Sequence, residues 1–508
     1  MPAKRAYAGI DLGTSSVKVV VVDDVGNVLG AGQADHPVQR PHPGFAEQEP
    51  DAWWRATALA TQQALAAAGR PDIAAMGLTG QMHGAVLLDH HDLPLAPAII
   101  WMDQRSGDQV GELTDGIGRQ SLIEITGSPL ATGFQAVTLK WLQRHEPGRW
   151  DQISRVLLPK DELRRRITGE IATDPSDASG TLLHDVRTRD WSETILGALG
   201  LSRDHLPTVQ PSTASAGAVS AEAAAHLGIA AGIPVVTGAG DAPAAALGAG
   251  VVSGETLFLT LSTGAQVLVP RDHVVVDAAG RLHTFCATSE PDETGASWYQ
   301  MGATLAAGFA LRWLRDNIFG LGGEDGIERM TTWAADVPPG SNGLVVVPYL
   351  LGERTPHMDP SARGVIVGLT AVHGRGELVR ATMEGVVFAC REAFTALQEN
   401  GATPGRIVVA GGGSRSSLWL QIIADVFGLP VQPLTTADQS TMGAAMLAAI
   451  GTGEIGFAEA TARWPEYGEV VKPDGSAGDR YDDLMAVFRA AYEKHREDFR
   501  VLEAIAGR

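Results

Sequence analysis

The stretch Gly9–Gly30, GIDLGTSSVKVVVVDDVGNVLG, decides the fold because two apolar runs flank a short Gly-Thr-Ser-Ser break. The second run, Val17–Asp23, is nearly all β-branched, which favours a strand bounded by turn residues. Gly26-Asn27 offers the next turn, and a further apolar run continues as a third strand. The pattern predicts an antiparallel meander with an acid, Asp11, just before the break and a base, Lys18, just after it.

A helix and a second copy of this pattern follow. Pro50 is a typical first helical position and Gly69 a typical stop, so we predict a helix between them. Residues Glu255–Leu282 repeat the order strand, hydroxyl-and-glycine turn, strand, then a hairpin turn at Asp277–Gly280 and a further strand. The repeat predicts a duplicated α/β architecture with domains at residues 1–248 and 249–508 and a cleft between them.

The composition excludes some classes of partner. The chain has 508 residues, a hydrophobic content of 44% and a formal net charge of -20. A nucleic-acid-binding surface is basic, so no nucleic-acid partner is expected. The two cysteines, Cys286 and Cys390, give no disulfide framework and are predicted to be packing residues. No apolar signal core precedes Asp11 and no run is long enough to span a bilayer, so we predict a cytoplasmic protein without a membrane partner.

The Gly-Thr-Ser-Ser break has the chemistry of a phosphate site. Backbone N–H groups and hydroxyls gathered at one tip suit phosphate oxygens, and the carboxylate of Asp11 could hold Mg²⁺, usually through water. The alternative is an ordinary polar hairpin. A matching tip at Leu261–Gln266, LSTGAQ, favours the phosphate interpretation, because two such tips could hold one polyphosphate. The sequence contains no GxxxxGK[ST], so a P-loop is excluded.

Two short segments could bind a hydroxylated ligand. In GQMHG, Gln81 and His83 offer hydrogen-bond partners after a predicted strand, although a lone histidine is more often structural. In WMDQR, the ring of Trp101 stands beside an acid, Asp103, and a base, and such an aromatic suits the apolar face of a sugar. This segment is equally compatible with an ordinary strand end.

A third segment, GAGDA, places Asp241 at the start of an Ala-rich helix. A carboxylate there lies near the positive end of the helix and could accept a hydroxyl proton as a general base. The alternative is an aspartate that only caps the helix.

Two further segments are a run of glycines and a run of arginines. Three consecutive glycines, Gly411–Gly413, follow a strand and would let a flat ligand lie close to the backbone, or they could form a strand-to-helix turn. The run Arg164–Arg166 is predicted to be the solvated face of a helix.

Taken together, these motifs resemble the FGGY family of carbohydrate kinases over essentially the whole chain. The resemblance is carried, in the family's order, by GIDLGTSSVK, RPHPGFAEQEPDAWW, GQMHG, VLLPKDELRRRITGEIATDPSDASGT, GAGDA, LLGERTPHMDP and GGGSRSSLWLQIIAD. The run Val156–Thr181 is most similar to the members that act on D-xylulose. The resemblance implies two actin-like, ribonuclease-H-like α/β ATPase domains around a catalytic cleft. The implied reaction transfers the γ-phosphoryl group of ATP, with Mg²⁺, to the terminal hydroxyl of D-xylulose in pentose catabolism.

The resemblance also implies roles for individual residues. Asp241 matches the family's general base, Asp11 the acid near Mg²⁺, and Met82 and His83 the pair that contacts the sugar. The first half would bind the sugar and the second half the nucleotide, and a homodimer is expected from family likeness alone. The implied substrate contacts are Gln81, Met82, His83, Trp101, Asp103 and Asp241, and the implied nucleotide contacts are Gly13, Thr14, Ser15, Lys18, Thr263, Gly264, Gly411, Gly412 and Gly413.

The sequence alone does not determine the phosphoryl acceptor. Members that act on D-xylulose often have Asn directly after the base, where this chain has Ala242, and the second phosphate motif reads LSTGAQ where the family usually has a sequence close to LGTSG. A kinase for another ketopentose or a polyol such as glycerol is therefore one alternative. A non-catalytic sugar sensor on the same scaffold is the other, although a sensor need not keep both Asp11 and Asp241.

Overall fold

A computed structural model describes residues 5–506 apart from residues 292, 294, 324 and 437. The strands of its first half are β1 (Ala6–Leu12), β2 (Ser16–Asp23), β3 (Val28–Asp35), β4 (Ile73–Gly80), β5 (Ser215–Ala218), β6 (Pro234–Val236) and β7 (Ala239–Gly240). They form one mixed sheet in the order β5-β6-β4-β1-β2-β3, with β7 also paired to β4. Strands β1, β2 and β3 form the antiparallel meander predicted from the opening stretch, and β4 joins β1 in parallel.

The strands of the second half are β8 (Thr256–Leu261), β9 (Ala265–Arg271), β10 (His283–Cys286), β11 (Trp298–Thr304), β12 (Arg406–Ala410) and β13 (Val431–Pro433). They repeat this arrangement in a sheet of order β10-β11-β9-β8-β12-β13. Strand β8 pairs with β9 antiparallel and with β12 in parallel, as β1 does with β2 and β4. The predicted duplication is therefore present in the strand order as well as in the sequence pattern.

The third strand of the second meander was predicted wrongly. The strand that follows the turn at Asp277–Gly280 is β10, but β10 pairs only with β11 and lies at the sheet edge. The place next to β9 is taken by β11, whose seven residues pair along the whole of β9. The turn residues correctly indicate where the strands lie. Which strands pair, however, depends on which strand face can be buried against the core.

Helices surround both sheets, and short strand pairs lie outside them. The helices are α1 (Pro50–Ala67), α2 (Gly107–Ile117), α3 (Arg119–Thr126), α4 (Gln135–His145), α5 (Pro147–Trp150), α6 (Pro159–Thr168), α7 (Pro175–Ser179), α8 (Glu193–Leu199), α9 (Ala221–Leu227), α10 (Asp241–Gly248), α11 (Gly308–Trp313), α12 (Gly326–Ala335), α13 (Arg375–Glu399), α14 (Ser417–Phe427), α15 (Gln439–Gly451), α16 (Phe457–Arg463) and α17 (Gly475–Ala506). The strand pairs are Glu47–Gln48 with Ala98–Ile99, Val86–Leu88 with Arg155–Leu157, Ala172–Thr173 with Thr208–Val209, His184–Asp185 with Asp190–Trp191, and Val345–Val347 with Val365–Val367. Helix α1 begins at Pro50 as predicted.

Two helices hold the halves together by crossing at backbone contact. A Cβ atom added to Gly443 in α15 would overlap the carbonyl oxygen of Ala244 in α10, and one added to Gly248 would overlap the carbonyl oxygen of Gln439. Helix α15 also lies directly on the first sheet, because Cβ atoms at Gly9 or Gly77 would overlap its backbone. The second half of the chain therefore supplies a buried helix to the sheet of the first half.

The buried positions of the two cysteines agree with the prediction that they are packing residues. Cys286 and Cys390 are free thiols with no exposed surface. Among the described residues, no helix combines the length and the apolar character that a bilayer crossing requires.

We predict that Gly443→Ala lowers the free energy of unfolding by about 3 kcal/mol, because the added methyl group forces α10 and α15 apart in a closely packed region. Gly111→Ala is the matched control. Gly111 lies inside α2, and a Cβ atom there has no heavy atom within 4 Å. In urea denaturation the control should be neutral or stabilising, and equal midpoints for the two variants would contradict this description of the crossing.

Candidate active site

A cavity of about 150 Å³ lies between the two halves and is lined from both. It brings together residues that the sequence places far apart, and Asp241 and Arg354 are the charged residues in its lining. The first half contributes Thr14, Met82, His83, Trp101, Phe134, Asp241 and Ala242, and the second half contributes Gln266, His283, Phe285, Met301, Ala303 and Arg354.

Asp241 is the first residue of α10 and faces this cavity. The helix cap is Gly240, so the carboxylate is not the N-cap that the alternative interpretation required. The backbone N–H of Ala242 donates to Oδ1 at 2.7 Å, while Oδ2 has no hydrogen-bond partner among the described residues. Burial raises the pKa of Asp241 to about 6. A carboxylate with one free oxygen and a raised pKa is suited to accepting a proton from a bound hydroxyl.

Met82 and His83 lie at the wall next to Asp241. His83 has a φ of 75°, and its Nδ1 donates to the carbonyl oxygen of Gly180 at 2.6 Å, which leaves Nε2 as an acceptor. Burial lowers the pKa of His83 to about 4, so the ring is neutral at pH 7. A Cβ atom on Gly180 would lie 2.7 Å from Cε of Met82, so this glycine allows the pair to approach α7 closely.

Trp101 lines the cavity, whereas Gln81 and Asp103 lie behind its wall. The indole Nε1 of Trp101 donates to Oγ1 of Thr14 at 2.9 Å. The carboxylate of Asp103 is buried and accepts from Arg105 and from the backbone N–H of Ala46. The amide Nε2 of Gln81 donates to a second buried amide at 2.7 Å. The structure therefore places Gln81 and Asp103 as supports of the wall.

Three polar cavity residues from the second half were missed by sequence reasoning. Arg354 has no side-chain hydrogen bond or ion pair within the described part of the chain. Burial lowers the pKa values of His83 and His283, and the charge of Arg354 lowers them further. His283 Nδ1 lies 2.6 Å from Oγ of Ser128, and Gln266 completes this wall. The available signal for Arg354 was a charged residue in the GERTP motif after an apolar run.

The second predicted phosphate turn lies beside the glycine segment. Gly411 has a φ of 85°, and a Cβ atom there would lie 2.5 Å from the carbonyl oxygen of Leu261, the last residue of β8. Gly412 has open space where a side chain would be, whereas Gly413 packs against the side chain of Leu261. Ser262, Thr263 and Gly264 follow Leu261 directly. The strand-to-helix turn thus keeps one open glycine next to the turn that follows β8.

Asp11 and Lys18 are held by the start of α15. Oδ2 of Asp11 accepts from Oγ of Ser440 at 2.8 Å, while Oδ1 is buried without a partner in the described structure. Burial, together with the charges of Asp438 and Asp241, raises the pKa of Asp11 to about 7. Nζ of Lys18 donates to Asp438 at 2.7 Å. Lys18 lines a separate cavity of about 510 Å³ and is therefore not brought together with Asp241.

These residues fit Mg²⁺ bound through water. The described residues contain no cluster of three or more side chains of the metal-binding type. Mg²⁺, however, keeps most of its waters and binds through one or two carboxylates together with substrate phosphates. The free Oδ1 of Asp11 offers such a carboxylate oxygen.

A buried ionic cluster, defined here as Lys160, Asp161, Arg164, Asp174 and Asp177, lies beneath the cavity. The Nζ of Lys160 is 2.6 Å from Asp161, 3.1 Å from Asp174 and 3.7 Å from Asp177. Arg164 is fully buried, so the prediction of a solvated arginine face is wrong for this residue. Its guanidinium donates to Asp161 and to the carbonyl oxygen of Thr237. A buried ion pair and an exposed charge look alike in sequence.

The cluster is connected by hydrogen bonds to the backbone that leads to Asp241. Asp174 accepts from the hydroxyl and backbone N–H of Ser176, and Oγ of Ser176 accepts from the backbone N–H of Gly240 at 3.2 Å. Lys160 donates to the carbonyl oxygen of Thr237. The backbone just before Asp241 is thus fixed by side chains from α6 and α7.

Comparison with known proteins gives consistent matches along the chain. Residues 6–248 match the sequence model of the N-terminal domain of the FGGY family of carbohydrate kinases, and residues 257–452 match that of its C-terminal domain. The xylulose kinase of Escherichia coli K12 is 38% identical over 504 residues, covering 98% of each chain. The gluconokinase of Bacillus subtilis is 28% identical, covering 94% of each chain. The crystal structure of xylulose kinase from Rhodospirillum rubrum superposes with a TM-score of 0.90 at 31% identity, over 98% of this chain and 100% of that one.

We predict that Lys160→Met lowers the free energy of unfolding by about 3–5 kcal/mol, because it leaves buried carboxylates without their shared cation. Lys140→Met is the control, since Lys140 makes a more exposed contact of 3.5 Å with Glu112 and should cost under about 1 kcal/mol. Urea denaturation measures both. A Lys160→Met variant as stable as the control would contradict an ionised cluster.

Proposed function

Because this chain belongs to the FGGY family of carbohydrate kinases, we propose that it transfers the γ-phosphoryl group of ATP to the terminal hydroxyl of D-xylulose. The family makes it a carbohydrate kinase with ATP as the donor. Its curated relatives named xylulose kinase, 32–38% identical over nearly the full length, support D-xylulose as the acceptor. We further propose that the protein is cytoplasmic, forms a homodimer and acts in pentose catabolism.

One observation carries the proposal: a half-buried carboxylate with a free oxygen lines a cavity of about 150 Å³ between the two halves. Asp241 shares that cavity with a neutral imidazole, an indole ring and a guanidinium, contributed by His83, Trp101 and Arg354. An indole suits the apolar face of a sugar, and the imidazole and guanidinium can hydrogen-bond its oxygens. A hydroxyl placed against Oδ2 of Asp241 would lose its proton to that oxygen as it attacks phosphorus.

The chain's own residues perform the remaining tasks by position and charge. Phosphoryl transfer needs an aligned acceptor and neutralised phosphate oxygens more than covalent help. We assign phosphate binding to the turns Gly13–Ser15 and Ser262–Gly264. We assign a role in phosphate binding to Lys18 as well, whose Nζ is paired with Asp438 in this structure. The nucleoside would lie along Gly411–Gly413. Asp11 would hold Mg²⁺ through water, and the ion would supply neutralisation of the phosphate charge.

The first half would bind the sugar and the second half the nucleotide, at residues 1–248 and 249–508. The cavity modifies this division, because Gln266, His283 and Arg354 of the second half also line it and would face the sugar. Closure of the two halves would therefore complete the acceptor site and exclude water, which otherwise competes as acceptor.

The test is ADP release from Mg-ATP with a panel of acceptors. D-xylulose, D-ribulose, L-ribulose, L-xylulose, glycerol, D-gluconate and no acceptor are compared for the wild type and Asp241→Asn. We expect D-xylulose to be preferred and its rate to fall by on the order of a hundredfold or more in the variant, as for a removed general base.

The outcomes separate the alternatives. D-gluconate is included because a gluconokinase is among the relatives and Arg354 could pair with a carboxylate. Preference for another acceptor, with the same loss in Asp241→Asn, would overturn D-xylulose and keep the base. Folded protein without acceptor-dependent ADP release would overturn the kinase proposal in favour of a sensor. Equal ADP release with and without sugar would contradict closure.

The raised pKa of Asp241 predicts a pH dependence. The base acts only when deprotonated, so kcat/KM for D-xylulose should fall as the pH drops through about 6, approaching tenfold per pH unit below it. An aspartate at its ordinary pKa would instead stay active to about pH 4. Samples held at pH 5 and assayed at pH 7.5 control for unfolding. A rate that is unchanged between pH 7 and pH 5 would contradict the assignment.

A further inference from the structure

The carbonyl groups of the turn after β1 are all held by hydrogen bonds from outside that turn. This turn, Gly13–Ser15, is called the N-terminal turn below. The carbonyl oxygen of Gly13 is 3.1 Å from Nε2 of His36, and that of Thr14 accepts from Nε2 of Gln48 at 2.6 Å. The carbonyl oxygen of Ser15 accepts from the backbone N–H of His36 at 3.0 Å. Two residues, His36 and Gln48, thus fix the orientation of three consecutive peptide groups.

The N–H groups of the same turn remain available. The N–H of Gly13 donates to Ser16, but those of Thr14 and Ser15 have no acceptor in the part of the chain that the structure describes. Successive backbone N–H groups in a turn form a concave site for an anion. Because the carbonyl oxygens are held on one side of the turn, their partial negative charges do not face the anion site.

The equivalent turn of the second half reaches the same arrangement by other means. In this C-terminal turn, Ser262–Gly264, the carbonyl oxygens of Ser262 and Thr263 accept backbone N–H groups from residues 307–309, at 2.8–3.0 Å. The carbonyl oxygen of Gly264 accepts from Ser262 N at 3.0 Å. The N–H groups of Thr263 and Gly264 have no acceptor among the described residues. Backbone at the start of α11 here does what two side chains do in the first half.

His36 and Gln48 form a fully matched buried pair. Because a carbonyl oxygen only accepts, Nε2 of His36 carries the proton, and Nδ1 accepts from Nε2 of Gln48 at 3.1 Å. That amide nitrogen donates to Nδ1 of His36 and to the carbonyl oxygen of Thr14, and it makes a longer contact of 3.4 Å with the carbonyl oxygen of Pro37. Burial lowers the pKa of His36, which keeps the ring in the neutral form that this pattern needs.

Gln48 also connects the turn to the sugar side of the cavity. Its Oε1 accepts from Nε2 of Gln81 at 2.7 Å and from Nε1 of Trp53 at 3.2 Å. Gln81 directly precedes Met82 and His83, and its own backbone N–H donates to the carbonyl oxygen of Leu12. One buried amide, Gln48, therefore bridges the N-terminal turn and the strand end that carries the sugar contacts.

We propose that His36 and Gln48 are positioning residues that hold the N-terminal turn in its phosphate-binding form, and that Gln48 links this turn to the acceptor site. Neither residue would touch a substrate. The proposal rests on the proposed function in that it takes ATP phosphates as the anion, but it concerns nucleotide binding and does not depend on which sugar is used.

The test compares the affinities for ATP and for adenosine by calorimetry, without sugar. Only ATP presents phosphate groups to the turn, so the ratio of the two affinities isolates the phosphate contribution. We expect His36→Phe to weaken ATP binding about tenfold while adenosine binding changes less than twofold, because the Gly13 carbonyl loses its donor. His36→Gln is the matched control, since its amide can donate to Gly13 and accept from Gln48, and it should restore the ratio.

A second variant tests the link to the acceptor site. Gln48→Met keeps the side-chain volume but removes its hydrogen bonds to Thr14, His36, Trp53 and Gln81. We expect it to weaken ATP binding as His36→Phe does and, in addition, to raise KM for D-xylulose several-fold, whereas His36→Phe should leave that KM within twofold. It also repeats the nucleotide test if His36→Phe does not fold.

The results that would overturn the proposal are distinct from failure of the proposed function. An unchanged ATP-to-adenosine ratio in a folded variant, or equal losses for both ligands, would show that the pair is merely structural. An unchanged KM for D-xylulose in Gln48→Met would overturn the link. If the variants showed the change in the ratio but the wild type released no ADP in response to D-xylulose, the acceptor assignment would fail while the positioning role stood.

Discussion

The backbone contact between α10 and α15 is the constraint on which the rest of the structure depends. These helices cross where Gly248 and Gly443 leave no room for side chains, and both begin at the cleft between the sheets. Asp241 is the first residue of α10, and Ser440, near the start of α15, donates to Asp11. The crossing that joins the halves therefore also fixes the distance between the proposed base and the proposed metal-side carboxylate.

Several charged groups of the site are buried or half-buried. Burial raises the pKa values of Asp11 and Asp241, and the ionic cluster beneath them contains a lysine and an arginine that are fully buried. Removing charges from water costs free energy unless partners and hydrogen bonds compensate. In the cluster, Lys160 and Arg164 pair with the carboxylates of Asp161 and Asp174, although Oδ2 of Asp161 and Nε of Arg164 have no hydrogen-bond partner among the described residues. The side chain of Arg354 and Oδ2 of Asp241 face the cavity, also without a hydrogen-bond partner in the described part of the chain.

Sequence reasoning recovered the parts that depend on local pattern. The meander, the two turns, the start of α1 and the place of Asp241 at a helix start follow from β-branched runs, turn residues and helix signals. It failed where side-chain direction or partner choice decides. Gln81 and Asp103 are adjacent to cavity residues but point into the wall, and Arg164 looks like a surface charge until its partners are known. His283 and Arg354 reach the cavity only because the second half folds against the first, which no local pattern records.

The most direct test of this account is a crystal structure of the protein with Mg-ADP and D-xylulose bound together. We expect the terminal hydroxyl of the sugar to lie within about 2.6–3.2 Å of Oδ2 of Asp241, as a general base requires. We also expect the β-phosphate of ADP to contact the N–H groups of one or both turns. A sugar bound with that hydroxyl away from Asp241, or a nucleotide whose phosphates contact neither turn, would contradict it.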